Sequence, residues 1–266
     1  MKKTSLAVIL SGMAILPINA QDPMIVAHRG ASQDAPENTL LAFRLAWKQG
    51  ADAIEGDFHL SKDGVLVCIH DAKTNKLADR DLVVAESTLS ELRVLDVGAG
   101  FGADFKGAMI PTIAEVLATV PPGKTIYVEI KCGPEAIPIL MKELEQSGLP
   151  AQHVVVISFN EVVIRTLKVA APGLKAYWLR SFKTDRFGKA TPSLESVLHT
   201  LHESEADGLS SNVKIPEVYI HALKQAGFEW HVWTVNDSGT AKRMKALGAR
   251  SITTDVPGRM RSSLAP

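Results

Sequence analysis

Short runs of apolar residues alternate with longer amphipathic segments along most of the chain. The runs are about as long as buried parallel strands and are rich in Val, Ile and aromatic residues; they cover residues 24–28, 53–57, 125–130, 153–158, 174–179, 206–209, 228–233 and 250–253. Segments with helical periodicity lie between them, at residues 39–49, 113–119, 135–147, 161–170, 193–203, 217–226 and 239–247. Gly50, Gly148, Gly227 and Gly248 follow the last apolar turn of four segments, as helix stop signals do.

This alternation predicts an α/β protein, a (β/α)8 TIM barrel. Eight strands separated by helices over roughly 240 residues match that fold in number and in size, although alternation by itself also permits a doubly wound open sheet. No stretch rich in Ser, Gly and Pro divides the chain. We therefore expect one barrel domain over residues 21–266, with an insertion at about residues 58–110 whose part from residue 72 onward is polar and irregular.

Residues 1–20 have a different pattern, which is typical of a secretory signal peptide. Lys2 and Lys3 precede an apolar run at residues 6–16, and Ala20 ends the segment before polar residues begin. The run is shorter than the about 20 apolar residues that a membrane-spanning helix needs. No Cys lies near the cleavage point for lipid attachment. The pattern predicts export to the periplasm or the extracellular space, with no stable membrane anchor after cleavage.

The second predicted strand leads into a β-hairpin with a small insertion behind it. Asp63-Gly64 separates two alternating runs, which is a strong hairpin signal. With a two-residue loop, Asp57 lies opposite His70, and a loop one residue longer shifts this pairing by one place. In either register the hairpin brings His70 close to the carboxylates of the second strand.

Composition and charge narrow the range of functions. The chain has 266 residues, of which 46% are apolar and 22% charged, as is ordinary for a globular protein. Its 29 basic and 29 acidic side chains cancel, so no overall field attracts nucleic acid, and an anionic substrate needs a local site. The two cysteines, Cys68 and Cys132, exclude a disulfide framework and a Cys-rich metal site.

Two acidic motifs end neighbouring strands of the predicted barrel. Glu55 and Asp57 are two positions apart on the second strand and therefore share one face; Glu129 and Lys131 end the next parallel strand with the same spacing. In a barrel such strand ends meet at the mouth. Three converging carboxylates favour a hard divalent cation, Mg²⁺ or Ca²⁺. An internal salt-bridge network with Lys131 and Arg29 is the alternative, at the cost of burying many charges.

Two histidines end the first strand and the hairpin. His28 precedes Arg29, whose planar guanidinium fits phosphate, and His70 precedes Asp71. Histidine exchanges protons near neutral pH, so two of them beside a carboxylate cluster predict acid-base chemistry on a phosphate group.

Several motifs resemble those of the glycerophosphodiester phosphodiesterases, in the same order and over nearly the whole chain after residue 20. The amino-terminal signature consists of Val26-Ala-His-Arg-Gly-Ala-Ser32, Ala35-Pro-Glu-Asn-Thr39 and Ala42-Phe43. The later motifs are Gly50-Ala-Asp-Ala-Ile-Glu-Gly-Asp57, Lys62-Asp-Gly-Val65, Ile69-His-Asp71, Ile110-Pro-Thr112, Val128-Glu-Ile-Lys131, Ala206-Asp-Gly208, Val232-Trp-Thr-Val-Asn236 and Thr253-Thr-Asp255.

The resemblance implies a TIM barrel, one divalent cation and hydrolysis of a small glycerophosphodiester to sn-glycerol 3-phosphate and an alcohol. Carried over position by position, it implies three groups of site residues: the metal ligands Glu55, Asp57 and Glu129, the catalytic acid and base His28 and His70, and the substrate contacts Arg29, Lys131 and Trp233. On residue type alone, Trp233 could equally fill the core. Glu37 and Asn38 are expected to order the loop after the first strand and the start of its helix.

In the implied mechanism one His deprotonates the attacking hydroxyl and the other protonates the departing alkoxide. The attacking group is either a glycerol hydroxyl, which gives a cyclic phosphate, or water. The insertion has no pattern that indicates the leaving alcohol. Two rival functions stay open: a related barrel that cleaves phosphoinositide or sphingolipid phosphodiesters, and an exported protein that binds a phosphorylated ligand without cleaving it.

Overall fold

A computed structural model describes residues 22–265, so the predicted signal peptide lies outside the described residues. The strands are β1 (Met24–Ala27), β2 (Ala53–Leu60), β3 (Leu66–Cys68), β4 (Thr125–Ile130), β5 (Val154–Ser158), β6 (Lys175–Arg180), β7 (Lys183–Thr184), β8 (Ala190–Thr191), β9 (Gly208–Asn212), β10 (Glu229–Trp233) and β11 (Ser251–Thr254). The α-helices are α1 (Leu40–Lys48), α2 (Leu89–Arg93), α3 (Ile113–Leu117), α4 (Ala136–Ser147), α5 (Glu161–Ala170), α6 (Leu194–Glu203), α7 (Glu217–Gln225), α8 (Ser238–Ala246) and α9 (Pro257–Leu264).

Eight of the strands form a closed parallel barrel in the order β1-β2-β4-β5-β6-β9-β10-β11, and β11 pairs with β1 to complete the ring. Helices connect successive barrel strands, which confirms the predicted (β/α)8 TIM barrel. All eight barrel strands overlap the apolar runs of the sequence. The helix α9, which begins at Pro257, was not predicted, because Pro257-Gly258 has the composition of a turn. Pro is nevertheless compatible with the first turn of a helix.

The alternation of side chains along each strand divides the core into two layers. On β2, for example, Ile54 and Phe58 pack in the large cluster between barrel and helices. The opposite face of the strands lines the barrel interior, where Val26, Tyr127, Ile157, Tyr177 and Leu179 form a second buried cluster. Glu55 and Asp57 also belong to this interior face, so the fold places their charges inside the barrel. None of the helices among residues 22–265 is sufficiently long and apolar to cross a membrane.

The hairpin formed by β2 and β3 has the longer of the two loops that the sequence allows. Phe58 pairs with Cys68 and Leu60 with Leu66, so the loop spans three residues between Ser61 and Val65. Gly64 has a φ of 77°, the left-handed conformation that ends such a three-residue turn. The pairing is therefore shifted by one place, and the residue after β3, Ile69, donates its N–H to the Asp57 carbonyl at 2.9 Å. His70 lies one residue further along.

The segment behind this hairpin is more ordered than its polar sequence indicates. It contains α2, whose first turn is closed by a capping box between Thr88 and Glu91, and short 3₁₀ turns at Val84–Glu86 and Ala103–Phe105. A separate apolar cluster holds it together, made of Val67, Ile69, Val84, Leu92, Leu95, Val97, Ala108 and Ile110. The insertion is thus a small packed unit beside the barrel mouth.

Candidate active site

The three predicted carboxylates meet at the C-terminal end of the barrel. Asp57 on β2 is the direct parallel partner of Glu129 on β4, and Glu55 lies two residues earlier on the same face as Asp57. One oxygen of each carboxylate lies within 4.8 Å of the others. All three residues are buried, with 2%, 1% and 8% of Glu55, Asp57 and Glu129 exposed.

This cluster has the donor chemistry of a divalent-cation site. Burial and the nearby Asp57 raise the pKa of Glu129 to about 7, and burial raises the pKa of Glu55 well above its ordinary value. Glu55 Oε1 and Asp57 Oδ1 are buried and accept no hydrogen bond from the described residues. Three buried carboxylates with unused oxygens are the ligands that Mg²⁺ and Ca²⁺ accept, so these residues fit such an ion.

Two cations of the protein compensate part of this negative charge. Arg29 Nε lies 3.2 Å from Asp57 Oδ2, and its Nη1 donates to both oxygens of Glu37 at 3.0 and 3.1 Å. Lys131 Nζ lies 2.9 Å from Glu129 Oε1 and 3.4 Å from Asp57 Oδ1. Burial opposes ionisation of Asp57, but Lys131 and Arg29 outweigh it and hold the pKa of that carboxyl below its ordinary value. The ion pairs of the salt-bridge alternative are therefore present. Among the described residues they leave Glu55 Oε1 without a partner, and Asp57 Oδ1 has only the 3.4 Å contact with Lys131.

His28 follows β1 directly and is oriented by a carboxylate from the other end of the chain. Its Nδ1 lies 2.6 Å from Asp255 Oδ1, just after β11. Ser32 Oγ donates to the same oxygen at 3.1 Å, and Asn236 Nδ2 donates to Asp255 Oδ2 at 2.6 Å. Although burial opposes it, these bonds and the His28 ring hold the pKa of Asp255 below its ordinary value. With Nδ1 engaged, Nε2 of His28 is the nitrogen left for chemistry.

His70, which follows the hairpin, has a comparable arrangement. Its Nδ1 lies 2.7 Å from Asp71 Oδ1, and Lys76 Nζ lies 2.6 Å from Asp71 Oδ2. The His70 carbonyl accepts a 3.1 Å hydrogen bond from His59 Nε2, which ties the end of the hairpin to β2. Burial lowers the pKa of His70. Each predicted catalytic histidine is thus held at Nδ1 by a carboxylate.

Most of the predicted site residues line one cavity of about 130 Å³. His28, Arg29, Glu55, His70, Glu129 and Lys131 line one side of it, and Asp57 lies directly behind this wall. The other side is mostly apolar and is formed by Tyr127, Ile157, Phe159, Leu179, Ser210, Trp233 and Thr253. Trp233 lies at this wall with its ring 5.7 Å from that of Phe159, edge to face. The structure therefore places all eight predicted site residues at one cavity.

Four residues around the site have contacts that the sequence did not predict. Asp255 and Asp71 hold the histidines, although neither aspartate was assigned a role from the sequence. Asn38 Nδ2 donates to Asp57 Oδ2 at 2.8 Å, and Asn38 Oδ1 accepts the Asp57 N–H at 3.1 Å, so Asn38 orients a carboxylate of the cluster. The residue that caps the start of α1 is Thr39 and not Asn38. Phe159, which is 42% exposed, extends the apolar wall. The residue type at position 38 was the one local signal in the sequence. Asn tolerates positive φ, and the structure has a φ of 57° at Asn38.

Comparisons with known proteins find relatives over most of the chain. The model of the glycerophosphoryl diester phosphodiesterase family matches residues 28–259. A glycerophosphodiester phosphodiesterase of Caldanaerobacter subterraneus subsp. tengcongensis is 34% identical over 242 residues, which are 88% of this chain and 94% of the relative.

Solved structures of such enzymes have the same fold. A phosphodiesterase from Oleispira antarctica, in complex with the product sn-glycerol-3-phosphate, superposes with a TM-score of 0.81 at 27% identity, over 91% of this chain and 96% of that one. A glycerophosphodiester phosphodiesterase from Agrobacterium tumefaciens gives a TM-score of 0.75 at 27% identity, over 90% and 99%. The chain therefore belongs to the glycerophosphoryl diester phosphodiesterase family, which confirms the predicted enzyme class, a phosphoric diester hydrolase.

Proposed function

We propose that the chain hydrolyses glycerophosphodiesters to sn-glycerol 3-phosphate and an alcohol by acid-base catalysis between His28 and His70, at a divalent cation held by Glu55, Asp57 and Glu129. One observation carries this proposal: two imidazoles, each anchored at Nδ1 by a carboxylate, line the same cavity as a buried three-carboxylate cluster. A structural histidine needs neither a cavity nor such a cluster. The product bound to the Oleispira antarctica relative supports the same substrate class.

In the proposed reaction the two histidines move the protons. One Nε2 accepts the proton of the attacking hydroxyl as its oxygen bonds to phosphorus, and the other Nε2 donates a proton to the oxygen of the breaking phosphorus–oxygen bond. If the attacker is water, this step gives sn-glycerol 3-phosphate directly. If it is the neighbouring glycerol hydroxyl, the step gives a cyclic phosphate, which water then opens with the two proton roles reversed. Asp255 and Asp71 keep both rings in place and stabilise the ring that becomes positively charged. Arg29 and Lys131 provide positive charge for the phosphate oxygens.

A cation bound by the three carboxylates would neutralise charge on the phosphodiester and help to orient it. Arg29 supports this arrangement from the protein side, because its backbone N–H donates to Glu55 Oε2 at 2.9 Å and fixes that carboxylate. Asn38 does the same for Asp57. Both Mg²⁺ and Ca²⁺ accept all-oxygen ligands, so the choice between them is a question of measured affinity.

The apolar wall favours the glycerol part of the substrate. Phe159 and Trp233 offer carbon-rich surface opposite the charged wall, and a glycerol backbone can pack there while the phosphate contacts the cations. We propose Trp233 as a substrate contact on this basis.

The proposal also includes export, which the pattern of residues 1–20 supports. Activity is expected in the periplasmic or extracellular fraction of cells that express the full chain, and the purified enzyme is expected to begin at Gln21. Activity confined to the cytoplasm, with the leading residues retained, would contradict export and leave the catalytic proposal unaffected.

The central experiment measures release of sn-glycerol 3-phosphate from glycerophosphocholine by the wild-type enzyme and by His28→Ala and His70→Ala. Each variant is expected to lose on the order of 10²–10⁴-fold in kcat, and chelation of divalent cations is expected to abolish release. His221→Ala, an exposed histidine on the outer helix α7, is the matched control and should retain wild-type activity. A near wild-type rate for either site variant removes that histidine from the mechanism. If the wild-type enzyme releases no sn-glycerol 3-phosphate, the proposal is wrong.

A second substrate assigns the two proton roles. A p-nitrophenyl diester of glycerol 3-phosphate has a leaving group that departs without protonation. The variant that lacks the general acid should recover activity on this substrate, whereas the variant that lacks the general base should not. Equal recovery by both variants would contradict the assignment of one histidine as the general acid and the other as the general base.

A further inference from the structure

A short β-hairpin projects from the same end of the barrel as the active site. It follows β6 at its C-terminal end and consists of β7 and β8, in which Lys183 pairs with Thr191 and Thr184 with Ala190. The turn is well defined, because the Asp185 carboxylate accepts the backbone N–H groups of Phe187 and Lys189 at 2.9 Å each. The carboxylate orders the turn, and its negative charge offsets one of the positive charges of the hairpin.

The base of this hairpin is fixed to the barrel. Phe182 is fully buried and packs edge to face on Tyr219, with ring centroids 6.0 Å apart. Asn212, the last residue of β9, accepts the Phe182 N–H at 2.9 Å and donates to its carbonyl at 3.1 Å. The hairpin is therefore held at its base in one orientation with respect to the catalytic face.

Its outer surface combines an exposed aromatic ring with unpaired positive charge. Phe187 at the tip is 80% exposed, the largest exposure among the large hydrophobic residues described. Lys183, Arg186 and Lys189 are exposed, and within residues 22–265 none of them forms an ion pair. The Arg186 guanidinium carbon lies 4.7 Å from the Phe187 ring centroid, so charge and ring are presented together. The chain as a whole has zero net charge, so this positive charge is concentrated locally on the hairpin.

The other exposed aromatic residues lie on the same end of the barrel. Phe159 follows the C-terminal end of β5 and is 42% exposed, and Phe101 in the insertion is 44% exposed. Aromatic rings beside cations are the composition of surfaces that lie at a lipid headgroup layer, where rings enter the apolar boundary and cations contact lipid phosphates.

We propose that the hairpin at residues 183–191 docks the catalytic face reversibly on an anionic phospholipid surface, with Phe187 entering the headgroup boundary and Lys183, Arg186 and Lys189 contacting lipid phosphates. This interaction is separate from the proposed hydrolysis. Each neutralised cation should weaken binding roughly fivefold, so removal of all three should weaken it about 100-fold. One ring and three charges give weak, reversible attachment, which high salt reverses.

The test is co-sedimentation of the exported enzyme with vesicles of equal parts phosphatidylcholine and phosphatidylglycerol, compared with phosphatidylcholine alone. The test variant combines Phe187→Ser with Lys183→Gln, Arg186→Gln and Lys189→Gln. The matched control removes the same charge and one exposed apolar residue from outside the hairpin, by Val169→Ser, Lys48→Gln, Lys242→Gln and Arg250→Gln. We expect wild type and control to bind anionic vesicles at low salt, and the test variant to lose at least tenfold in binding.

The same variants are assayed on soluble glycerophosphocholine, for which the proposal expects unchanged kcat/KM. Equal vesicle binding by wild type and test variant, or equal loss in the control, overturns the proposal. So does a test variant that keeps vesicle binding but loses kcat/KM, because the hairpin would then steer an anionic substrate. Self-association of wild type that depends on Phe187, without vesicle binding, would make a second copy the partner and also overturns it. Vesicle binding and hydrolysis are separate readouts, so failure of one proposal is distinguishable from failure of the other.

Discussion

Asp255 holds His28 through the nitrogen that faces away from the cavity. A carboxylate in this position fixes the ring tautomer and its rotation, and it stabilises the imidazolium when a proton is taken up. Replacing it by Asn keeps the shape but removes the charge and admits the wrong tautomer.

Asp255→Asn should therefore reduce kcat on the order of 10²-fold with little change in KM. It should also shift the limb of the pH–rate profile that His28 controls, the acidic limb if His28 is the base and the basic limb if His28 is the acid. Asp237→Asn is the control from the neighbouring loop, because Asn caps a helix as well as Asp does. An Asp255→Asn enzyme with an unaltered pH profile would mean that the contact serves stability alone.

Binding of a cation at the carboxylate cluster should be visible without any substrate. An ion that binds the folded protein raises its thermal midpoint by mass action, and here it also relieves the repulsion among three buried carboxylates. We expect Mg²⁺ or Ca²⁺ to raise Tm, and Glu129→Gln to remove most of that increase. Glu145→Gln, on the exposed face of α4, should leave the increase intact. The same increase in both variants would place the ion elsewhere.

Among the elements, the insertion has the clearest structure of its own. Leu92 is fully buried in its separate apolar cluster, whereas Val94, two residues later, is 70% exposed. Leu92→Ala should lower the free energy of unfolding by about 2–5 kcal/mol, since it leaves a cavity in a small core. Val94→Ala should change it by less than about 0.5 kcal/mol. Urea titration of both variants gives the comparison, and equal values would mean that the cluster contributes little to stability.

The hairpin between β2 and β3 illustrates what an element's sequence can predict. Asp63-Gly64 identifies the turn, and period-2 alternation identifies the strands, but these signals fit two loop lengths equally well. The structure has the three-residue loop, in which Gly64 but not Asp63 has positive φ, so His70 lies one place beyond Asp57. The insertion was harder to predict, because its eight core residues are scattered over residues 67–110 without a period.

At the scale of the whole molecule, a polar network closes the barrel at the end opposite the active site. Glu229 at the start of β10 lies 3.7 Å from His231 Nε2, accepts the Tyr177 hydroxyl at 2.6 Å and lies 3.2 Å from Lys175 Nζ on β6. The His231 ring, the Tyr177 hydroxyl and Lys175 lower the pKa of Glu229 to about 2, from an ordinary value of 4.5.

A carboxyl whose pKa is lower in the folded state stabilises the protein above its unfolded pKa and loses that effect as pH falls toward the folded value. The contribution of Glu229 to the free energy of unfolding should be complete above about pH 4.5 and should decline between about pH 4.5 and 2. It should amount to roughly 1–3 kcal/mol, with allowance for solvent screening. Urea unfolding near pH 7 and near pH 3 measures it. Glu229→Gln should reduce the difference between the two pH values; Glu145→Gln should not, and identical differences in all three proteins would contradict the assignment.

The global architecture was predictable because alternation of strands and helices over this length has few compact solutions. The carboxylate cluster was also predictable, since period-2 spacing and parallel strand ends determine where Glu55, Asp57 and Glu129 meet. The partners of the histidines were not. Asp255 contacts His28 across 227 positions of sequence, and such a contact follows from the rotation of two side chains, which the residue pattern does not encode.

That long-range contact has a consequence for when the enzyme becomes active during its synthesis. His28 is in one of the first elements to be made, yet its carboxylate partner follows β11, the last strand to be made. A growing chain therefore lacks an oriented His28 until β11 pairs with β1. Catalytic turnover should thus appear at the moment of barrel closure, and its recovery during refolding would time that last step directly.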